Sequence, residues 1–289
     1  MDLAYLRAHP EHLPTFLLHQ RIRETPVGGG VSRLTLDDGT SLFAKSRPSG
    51  SAPDGMFAAE AAGLAWLRAS GTVPVPEVVA ALPGMLATEW VQPGEPTRQA
   101  AEEFGRSLAL LHRSGADSFG APWPGYIGPL PLDNTPDTGT WASWFATRRL
   151  LPYLRTSADR GSLSESDVTL VERILKTLEE YAVSEPPARI HGDLWPGNLL
   201  WAADGRAWLV DPAAHGGHRE TDLATLSLFG GVPFLDVILA AYDAEWPLAE
   251  GWRARVPLHQ LHLLLVHTAA FGDTYQPAVR AAATAVLRA

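Results

Sequence analysis

The sequence contains no cysteine, which excludes disulfides, thiolate metal sites and thiol catalysis. It also has no window of about 18 apolar residues, so no membrane span is predicted. The N-terminus carries charges and prolines where a signal peptide needs an apolar core, which favours a cytoplasmic protein. No basic block is present and the net charge is -9, so nucleic acid is a poor candidate partner.

Charged residues make up 19% of the 289 residues and hydrophobic residues 46%, a composition typical of a globular protein with one large core or two smaller ones. Lysine is rare: of 23 basic residues, only Lys45 and Lys176 are lysines. Genomic composition would explain this bias, but it also makes each lysine position informative. The acidic net charge suits a small cationic or amine-bearing substrate, although most acidic proteins are simply soluble.

The pattern along the chain predicts two units, residues 1–91 and 92–289. The first unit is predicted to be β-rich with one helix, because short apolar runs are separated by glycine-containing turn signals. Its predicted strands are Arg21–Thr25, Val31–Leu36, Thr40–Lys45, Glu77–Ala81 and Met85–Trp90, and its helix is Asp54–Ala69.

The second unit is predicted to be mostly helical, because apolar residues recur at helical spacing. A strong N-terminal capping sequence precedes one of these helices, at residues 164–167. The predicted helices are Arg98–Arg113, Trp141–Leu154, Ser164–Tyr181, Glu220–Phe229, Phe234–Glu245, Trp252–Thr268 and Pro277–Leu287. A five-stranded lobe followed by a helical lobe, joined near residues 90–94, is the α+β plan of protein kinases.

The most informative stretch is residues 191–211, HGDLWPGNLLWAADGRAWLVD. It places Asp193, Asn198 and Asp211 on a loop-strand-turn-strand unit. Phosphoryl transfer uses one carboxylate to accept a hydroxyl proton, and an asparagine with a second carboxylate to hold Mg²⁺ on ATP. The spacing of Asp193 and Asn198 matches the kinase catalytic loop. We therefore predict Asp193 as the catalytic base, with Asn198 and Asp211 as metal ligands.

Two features of the first unit predict nucleotide binding. Gly28, Gly29 and Gly30 lie between the first two predicted strands, where backbone N–H groups can approach phosphates; a flexible turn would look the same. Lys45 ends the third strand, and a compact ammonium suits phosphate contacts. Glu60 lies on the apolar face of the following helix, where a buried carboxylate needs a cation. We therefore predict a Lys45–Glu60 ion pair.

Three further residues are candidates for supporting roles. His191 is predicted to orient the loop, because Asp193 already fills the position of the base. Asp222, near a helix start, is predicted to brace the catalytic loop, with a simple N-terminal cap as the alternative. Trp195 lies inside the loop, where its indole would either stack on a sugar ring or belong to the core.

These residues resemble the fructosamine kinase, or ketosamine kinase, family within the larger group that includes aminoglycoside phosphotransferases. Four segments match in order: GGGVS at 28–32, HGDLWPGN at 191–198, DPAAHGGHRETDLA at 211–224 and LFGG at 228–231. Trp195 and the residues after Asp211 point to the ketosamine branch. His267 resembles part of the family's closing motif and is a second candidate substrate contact.

The resemblance implies a two-lobed kinase-like fold and ATP-dependent phosphorylation of a ketosamine sugar at its 3-hydroxyl. The product would be unstable and release the free amine, so the activity would deglycate amines. Backbone groups of Glu89 to Val91 would meet adenine. Many members carry a cysteine directly after the three glycines, where this chain has Val31, so a redox switch or a disulfide-linked dimer is impossible here.

Two alternatives remain open at the level of sequence. One is a related kinase acting on an aminoglycoside, a choline-like compound or another small hydroxyl substrate, against which the DLW sequence in the loop weighs. The other is a catalytically inactive binding module, against which the joint presence of the five residues Lys45, Glu60, Asp193, Asn198 and Asp211 weighs.

Overall fold

A computed structural model describes residues 2–47 and 53–289 of the chain. Its first part contains a five-stranded antiparallel sheet with the strand order β1-β2-β3-β5-β4. The strands are β1 (Arg23–Gly28), β2 (Val31–Thr35), β3 (Ser41–Ser46), β4 (Val78–Leu82) and β5 (Met85–Glu89). The five predicted strands are therefore confirmed, although β1 begins two residues later than predicted and runs into the glycine turn.

Two short helices cover one face of this sheet, α1 (Leu3–Ala8) and α2 (Leu13–Leu18). Leu6 and Leu13 are fully buried in one cluster with Leu34 and Leu42 of the strands. The prediction of a single helix in this part of the chain is wrong. Each of the two helices has six residues, too few to display a helical repeat in the sequence.

The third helix, α3 (Met56–Arg68), is the one that the sequence predicts. Its buried residues Phe57 and Leu64 belong to a core cluster that also contains Leu194 and Leu223 from the second half of the chain. A Cβ on Gly63 would lie 3.2 Å from the Cβ of Ala214, so the helix packs closely on the segment after Asp211. The helix therefore connects the sheet to the helical part.

The chain leaves the sheet through residues 90–97 and is held there by a hairpin of the second part. Gly94 donates to the carbonyl of Trp201 at 2.8 Å, and Ala203 donates to the carbonyl of Gln92 at 2.8 Å. The connection is thus fixed to the hairpin that follows residues 191–198, the predicted catalytic loop. The division into units at residue 91 stays a prediction.

The second part is mostly helical, with short two-stranded pairings between its helices. Its helices are α4 (Arg98–Arg113), α5 (Trp141–Phe145), α6 (Leu151–Asp159), α7 (Glu165–Lys176), α8 (Leu178–Tyr181), α9 (Arg219–Thr225), α10 (Leu235–Glu245), α11 (Trp252–Phe271) and α12 (Gln276–Val286). Its strands are β6 (Gly125–Ile127), β7 (Leu130–Leu132), β8 (Ala188–Ile190), β9 (Leu199–Trp201), β10 (Ala207–Leu209) and β11 (His215–Gly217). The two-lobed α+β architecture predicted from the sequence is confirmed.

Three predicted helices are interrupted. The predicted helix 164–181 divides at Thr177 into α7 and α8. The predicted helix 141–154 divides into α5, a π-helical segment Ala146–Leu150, and α6. The predicted helix 220–229 ends at Thr225. Phe229 lies in a separate 3-10 turn, Leu228–Gly230, where its left-handed φ of 51° is incompatible with a helix that runs through it. Across the described residues, no helix combines the length and apolarity that crossing a membrane would need.

Candidate active site

A cavity of about 350 Å³ opens between the sheet and the helical part. Residues from both parts line it, and two that meet there, Lys45 and Asp211, are 166 residues apart in the chain. The predicted site residues that line the cavity are Gly29, Gly30, Lys45, Glu60, Asp193, Trp195, Asn198, Asp211 and His267. The fold therefore brings most of the candidate residues into one space.

Lys45 stands between two carboxylates in this cavity. Its Nζ donates to Glu60 Oε1 at 2.8 Å, and it also contacts Asp211 Oδ1. The predicted Lys45–Glu60 pair is thus present, with the lysine 19% and the glutamate 12% exposed. Asp211 is 51% exposed, so its carboxylate faces the cavity. One ammonium therefore joins strand β3, helix α3 and the end of the catalytic segment.

Burial and the neighbouring charges set the protonation of this cluster. Burial lowers the pKa of Lys45, but attraction to Glu60 and Asp211 more than offsets it, and the net shift is upward. Burial raises the pKa of Glu60 to about 7, against the opposing attraction of Lys45. Lys45 therefore stays charged, as a contact to phosphate requires.

Asn198 fixes the geometry between the two aspartates. Its Nδ2 donates to the backbone carbonyl of Asp193 at 2.8 Å, to the Asp193 carboxylate at 3.1 Å and to the backbone carbonyl of Asp211 at 3.3 Å. The amide nitrogen is therefore committed to protein acceptors. Within residues 2–47 and 53–289 no donor reaches Asn198 Oδ1, and Asn198 lines the same cavity as Asp211.

Asp193 is held close to other negative charge. Burial raises the pKa of its carboxyl well above the usual value, and repulsion from Asp211 adds to the shift, while the Asn198 hydrogen bond opposes it. A cation bound at Asp211 would offset this repulsion and favour the ionised form of Asp193. The donor set of the Asp211 carboxylate and the Asn198 amide oxygen fits a hard cation such as Mg²⁺.

Asp222 braces the catalytic loop from below. Its carboxylate accepts from the backbone N–H of His191 at 2.7 Å and of Gly192 at 2.9 Å. His112 Nε2 lies 3.1 Å from the same carboxylate. Burial alone would raise the pKa of Asp222, but these hydrogen bonds hold it below the usual value. The structure therefore shows the predicted bracing contacts directly.

The first residues of the loop are shaped by close packing. Gly192 has φ of 79°, and a Cβ there would lie 2.3 Å from the carbonyl oxygen of Ala213. His191 is buried, donates through Nε2 to the carbonyl of Val210 at 2.9 Å, and accepts through Nδ1 from the N–H of Asp193 at 3.2 Å. Burial lowers the pKa of His191, so the imidazole is neutral and orients the loop.

An aromatic cluster borders the cavity beside Asp193. Trp195 meets Phe229 edge-on at 5.9 Å, and Phe229 contacts His267 at 4.6 Å. Phe271 and Tyr275 complete the cluster at 5.5 and 4.8 Å from His267. Trp195, His267 and Phe271 line the cavity, and Phe271 is 63% exposed, so the cluster presents aromatic surface at the cavity. Trp195 is thus a rim residue and not part of the core.

Some predicted residues lie outside the cavity lining. Gly28, Glu89 and Val91 are not among the described residues that line it, and Glu89 belongs to the paired strand β5. All three glycines of the turn have positive φ, between 62° and 121°. Their predicted contacts to phosphate and adenine, like the other site assignments, stay predictions.

Several residues that build the site were not predicted from the sequence. His112, near the end of α4, lies on the apolar face of that helix, and this position was the sequence signal that could have identified it as a buried residue. Asn134 and Phe229 lie in irregular segments, where periodicity carries no information.

A lysine–glutamate pair on strand β3 and helix α3, set above an aspartate–asparagine–aspartate loop in a two-lobed fold, defines a phosphotransferase of the protein kinase-like class. Within this class, the model of the family described as fructosamine kinase matches residues 18–289. The chain belongs to the fructosamine kinase family.

Individual relatives agree with this assignment. A crystal structure of a protein assigned as a fructosamine-3-kinase, from Thermobifida fusca, is 54% identical, covers 93% of both chains and superposes with a TM-score of 0.88. A probable ketoamine kinase of Enterococcus faecium is 32% identical over 86% of this chain and 89% of its own. An aminoglycoside phosphotransferase solved with ADP and hygromycin B shares the fold, at 14% identity, 96% and 98% coverage and a TM-score of 0.63.

Proposed function

We propose that this small-molecule kinase uses ATP to phosphorylate the 3-hydroxyl of a ketosamine, a fructosamine or ribulosamine, and so leads to deglycation of the amine. The observation that carries the proposal is the shared cavity. It holds a charged lysine, an exposed carboxylate and a second carboxylate next to an aromatic rim. Membership of the fructosamine kinase family supports the choice of acceptor.

In this proposal Lys45 and the glycine turn hold the phosphates of ATP, with Glu60 keeping the ammonium in place. Asn198 Oδ1 and the Asp211 carboxylate would hold Mg²⁺, which neutralises charge on the phosphates when bound. The aromatic rim with Trp195 would receive the ring and the amine of the acceptor, since aromatic faces attract both apolar groups and ammonium ions.

Asp193 accepts the proton of the sugar hydroxyl in this mechanism. As that proton leaves, the sugar oxygen forms its bond to the γ-phosphorus, and the bond from phosphorus to the bridging oxygen breaks. ADP departs with the electron pair of that bond. Positioning of the acceptor and stabilisation of charge supply most of the catalysis in such a reaction.

The test is an acceptor panel with Mg-ATP that contains a ribulosamine, fructosyl-lysine, two aminoglycosides and choline. We expect ADP release with both ketosamines, a product whose NMR spectrum shows phosphorus coupled to the proton on carbon 3, and subsequent release of the free amine. Phosphorylation of an aminoglycoside or choline without turnover of any ketosamine would contradict the proposal and favour the alternative substrate class.

A further inference from the structure

Asn134 is a buried polar residue of the cavity to which the proposed mechanism gives no role. It follows strand β7 and is only 5% exposed, yet it lines the same cavity as Asp193 and Lys45. A buried amide requires hydrogen-bond partners on both its oxygen and its nitrogen. The two ends of this amide have very different surroundings.

The oxygen end is fixed by Arg149. The Nη2 of Arg149 donates to Asn134 Oδ1 at 2.7 Å, and its Nη1 donates to the carbonyl of Asp133 at 2.6 Å. Arg149 is itself 1% exposed and stacks on Trp144, with its guanidinium carbon 4.1 Å from the ring centre. A guanidinium has donors and no acceptor, so the atom it contacts must be the amide oxygen. Arg149 therefore determines which way the Asn134 amide faces.

The nitrogen end has no partner among residues 2–47 and 53–289. It lies against Gly125, where an added Cβ would be 2.7 Å from Nδ2, and Gly125 also lines the cavity. The absence of a side chain at 125 thus leaves room for the amide nitrogen at the cavity wall. A hydrogen-bond donor with a fixed direction, on a residue only 5% exposed, is thus left available to a ligand at the cavity wall.

We propose that Asn134 Nδ2 donates a hydrogen bond to an oxygen of the acceptor sugar, and that Arg149 is the residue that positions it. This inference rests on the proposed function for the identity of the acceptor. His267 supplies the opposite polarity: its Nδ1 donates to a carbonyl one turn earlier at 2.7 Å, and burial lowers its pKa, so Nε2 is an acceptor. A donor and an acceptor on one cavity suit a polyhydroxylated ligand.

The decisive variant is Asn134→Asp. It keeps an oxygen for Arg149 but replaces the donor with a charged acceptor, so we expect folding to be retained. The KM for the ketosamine should rise about 10- to 100-fold, because a carboxylate oxygen would then face a sugar oxygen with no hydrogen bond between them. The KM for ATP should change less than about twofold, within ordinary substitution effects. Gln20→Glu is the control, since it makes the same chemical change on an exposed side chain.

A second measurement covers the case in which Asn134→Asp loses stability. Monodeoxy acceptors are compared on the wild type and on Asn134→Ala. We expect one deoxy acceptor to have a higher KM than the parent acceptor on the wild type but not on Asn134→Ala, because both changes remove the same hydrogen bond.

An unchanged acceptor KM in a folded Asn134→Asp protein, or fully additive losses for every deoxy acceptor, would overturn the inference. Failure of the proposed function looks different. In that case the wild type itself turns over no ketosamine, and the same variants are measured with the acceptor that the panel identifies.

Discussion

At the scale of single residues, Asp193 and Asp211 differ in their surroundings. Both are aspartates in one cavity, but Asp211 is half exposed and contacts Lys45, whereas Asp193 is partly buried and bonded to Asn198. Burial raises the pKa of Asp193, and repulsion from Asp211 adds to the shift. Asp193 therefore holds a proton more readily than an ordinary aspartate, as the proposed role of general base requires, and the half-exposed Asp211 is left as the proposed metal ligand.

Replacing the base tests this division of roles. We expect Asp193→Asn to lower turnover by about 10²–10⁴-fold, the usual contribution of a general base, because the amide cannot accept the proton. ATP affinity should be largely retained, since Lys45 and Asp211 are untouched. Steady-state kinetics and a nucleotide-binding titration measure the two quantities. Asp159→Asn, on an exposed side chain of α6, is the control. Full activity in Asp193→Asn would mean that another group is the base.

Some contacts of the site were predictable from single residues, and others were not. The Lys45–Glu60 pair follows from one rare lysine and one glutamate on an apolar helix face. The Asp222–His112 contact joins residues 110 apart, and the Arg149–Asn134 contact depends on a π-helical segment. Neither a contact between residues far apart in the chain nor a π-helical segment has a local sequence pattern that predicts it. Sequence therefore predicted the charged groups of the site better than the neutral ones that orient them.

At the scale of elements, helix α9 carries the brace Asp222 and is itself anchored by Glu220. The Glu220 carboxylate is almost fully buried and accepts from Arg255 of α11 at 2.6 and 2.8 Å. Burial alone would raise the pKa of Glu220, but Arg255 and His259 lower it from 4.5 to about 2. Asp222 thus connects α9 to the catalytic loop, and Glu220 connects α9 to α11.

This anchor predicts a pH dependence of stability. A carboxyl group whose pKa is lower in the folded than in the unfolded protein stabilises the fold at pH values above its unfolded pKa. That stabilisation is lost as the pH falls toward the folded pKa. From pH 6 to pH 3 the loss from Glu220 should be about 2 kcal/mol. Glu220→Gln cannot titrate, so its free energy of unfolding should converge on that of the wild type as the pH falls.

Urea unfolding at several pH values measures this convergence. Glu172→Gln, on an exposed side chain of α7, should instead give a curve parallel to the wild type. Parallel curves for Glu220→Gln as well would show that this carboxyl has an ordinary pKa.

Predictability at this scale depended on helix length and cap chemistry. Helix α4 was predicted with its observed bounds, and the capping box at Ser164 is present as the sequence indicated. The six-residue helices α1 and α2 were missed because they are shorter than two turns. The predicted helix 220–229 was too long at its C-terminal end, where the left-handed conformation of Phe229 has no sequence signature.

At the scale of the whole molecule, one core cluster and the cavity are built from residues of both lobes. A ligand that binds only the folded protein raises its free energy of unfolding, by about 2.7 kcal/mol at 100 times the dissociation constant. We expect Mg-ATP to have this effect and ATP with a chelator to have a smaller one. Asp211→Asn should reduce the difference between the two conditions, whereas Asp159→Asn should leave it unchanged.

Chemical unfolding with each ligand measures this difference. Equal stabilisation by ATP with and without Mg²⁺ in the wild type would contradict the assignment of Asp211 and Asn198 as metal ligands.

The contact between Lys45 and Asp211 has a consequence for the order of events at the cavity. In the described arrangement each of these groups satisfies the other. A nucleotide phosphate that binds Lys45 would free the Asp211 carboxylate for a cation. A cation that binds Asp211 would free Lys45 for the phosphate, so each ligand prepares the site of the other. Thermodynamic linkage then makes the help mutual: the factor by which Mg²⁺ tightens ATP binding equals the factor by which ATP tightens Mg²⁺ binding. One ion pair would thus make the two ligands cooperative without any movement of the lobes.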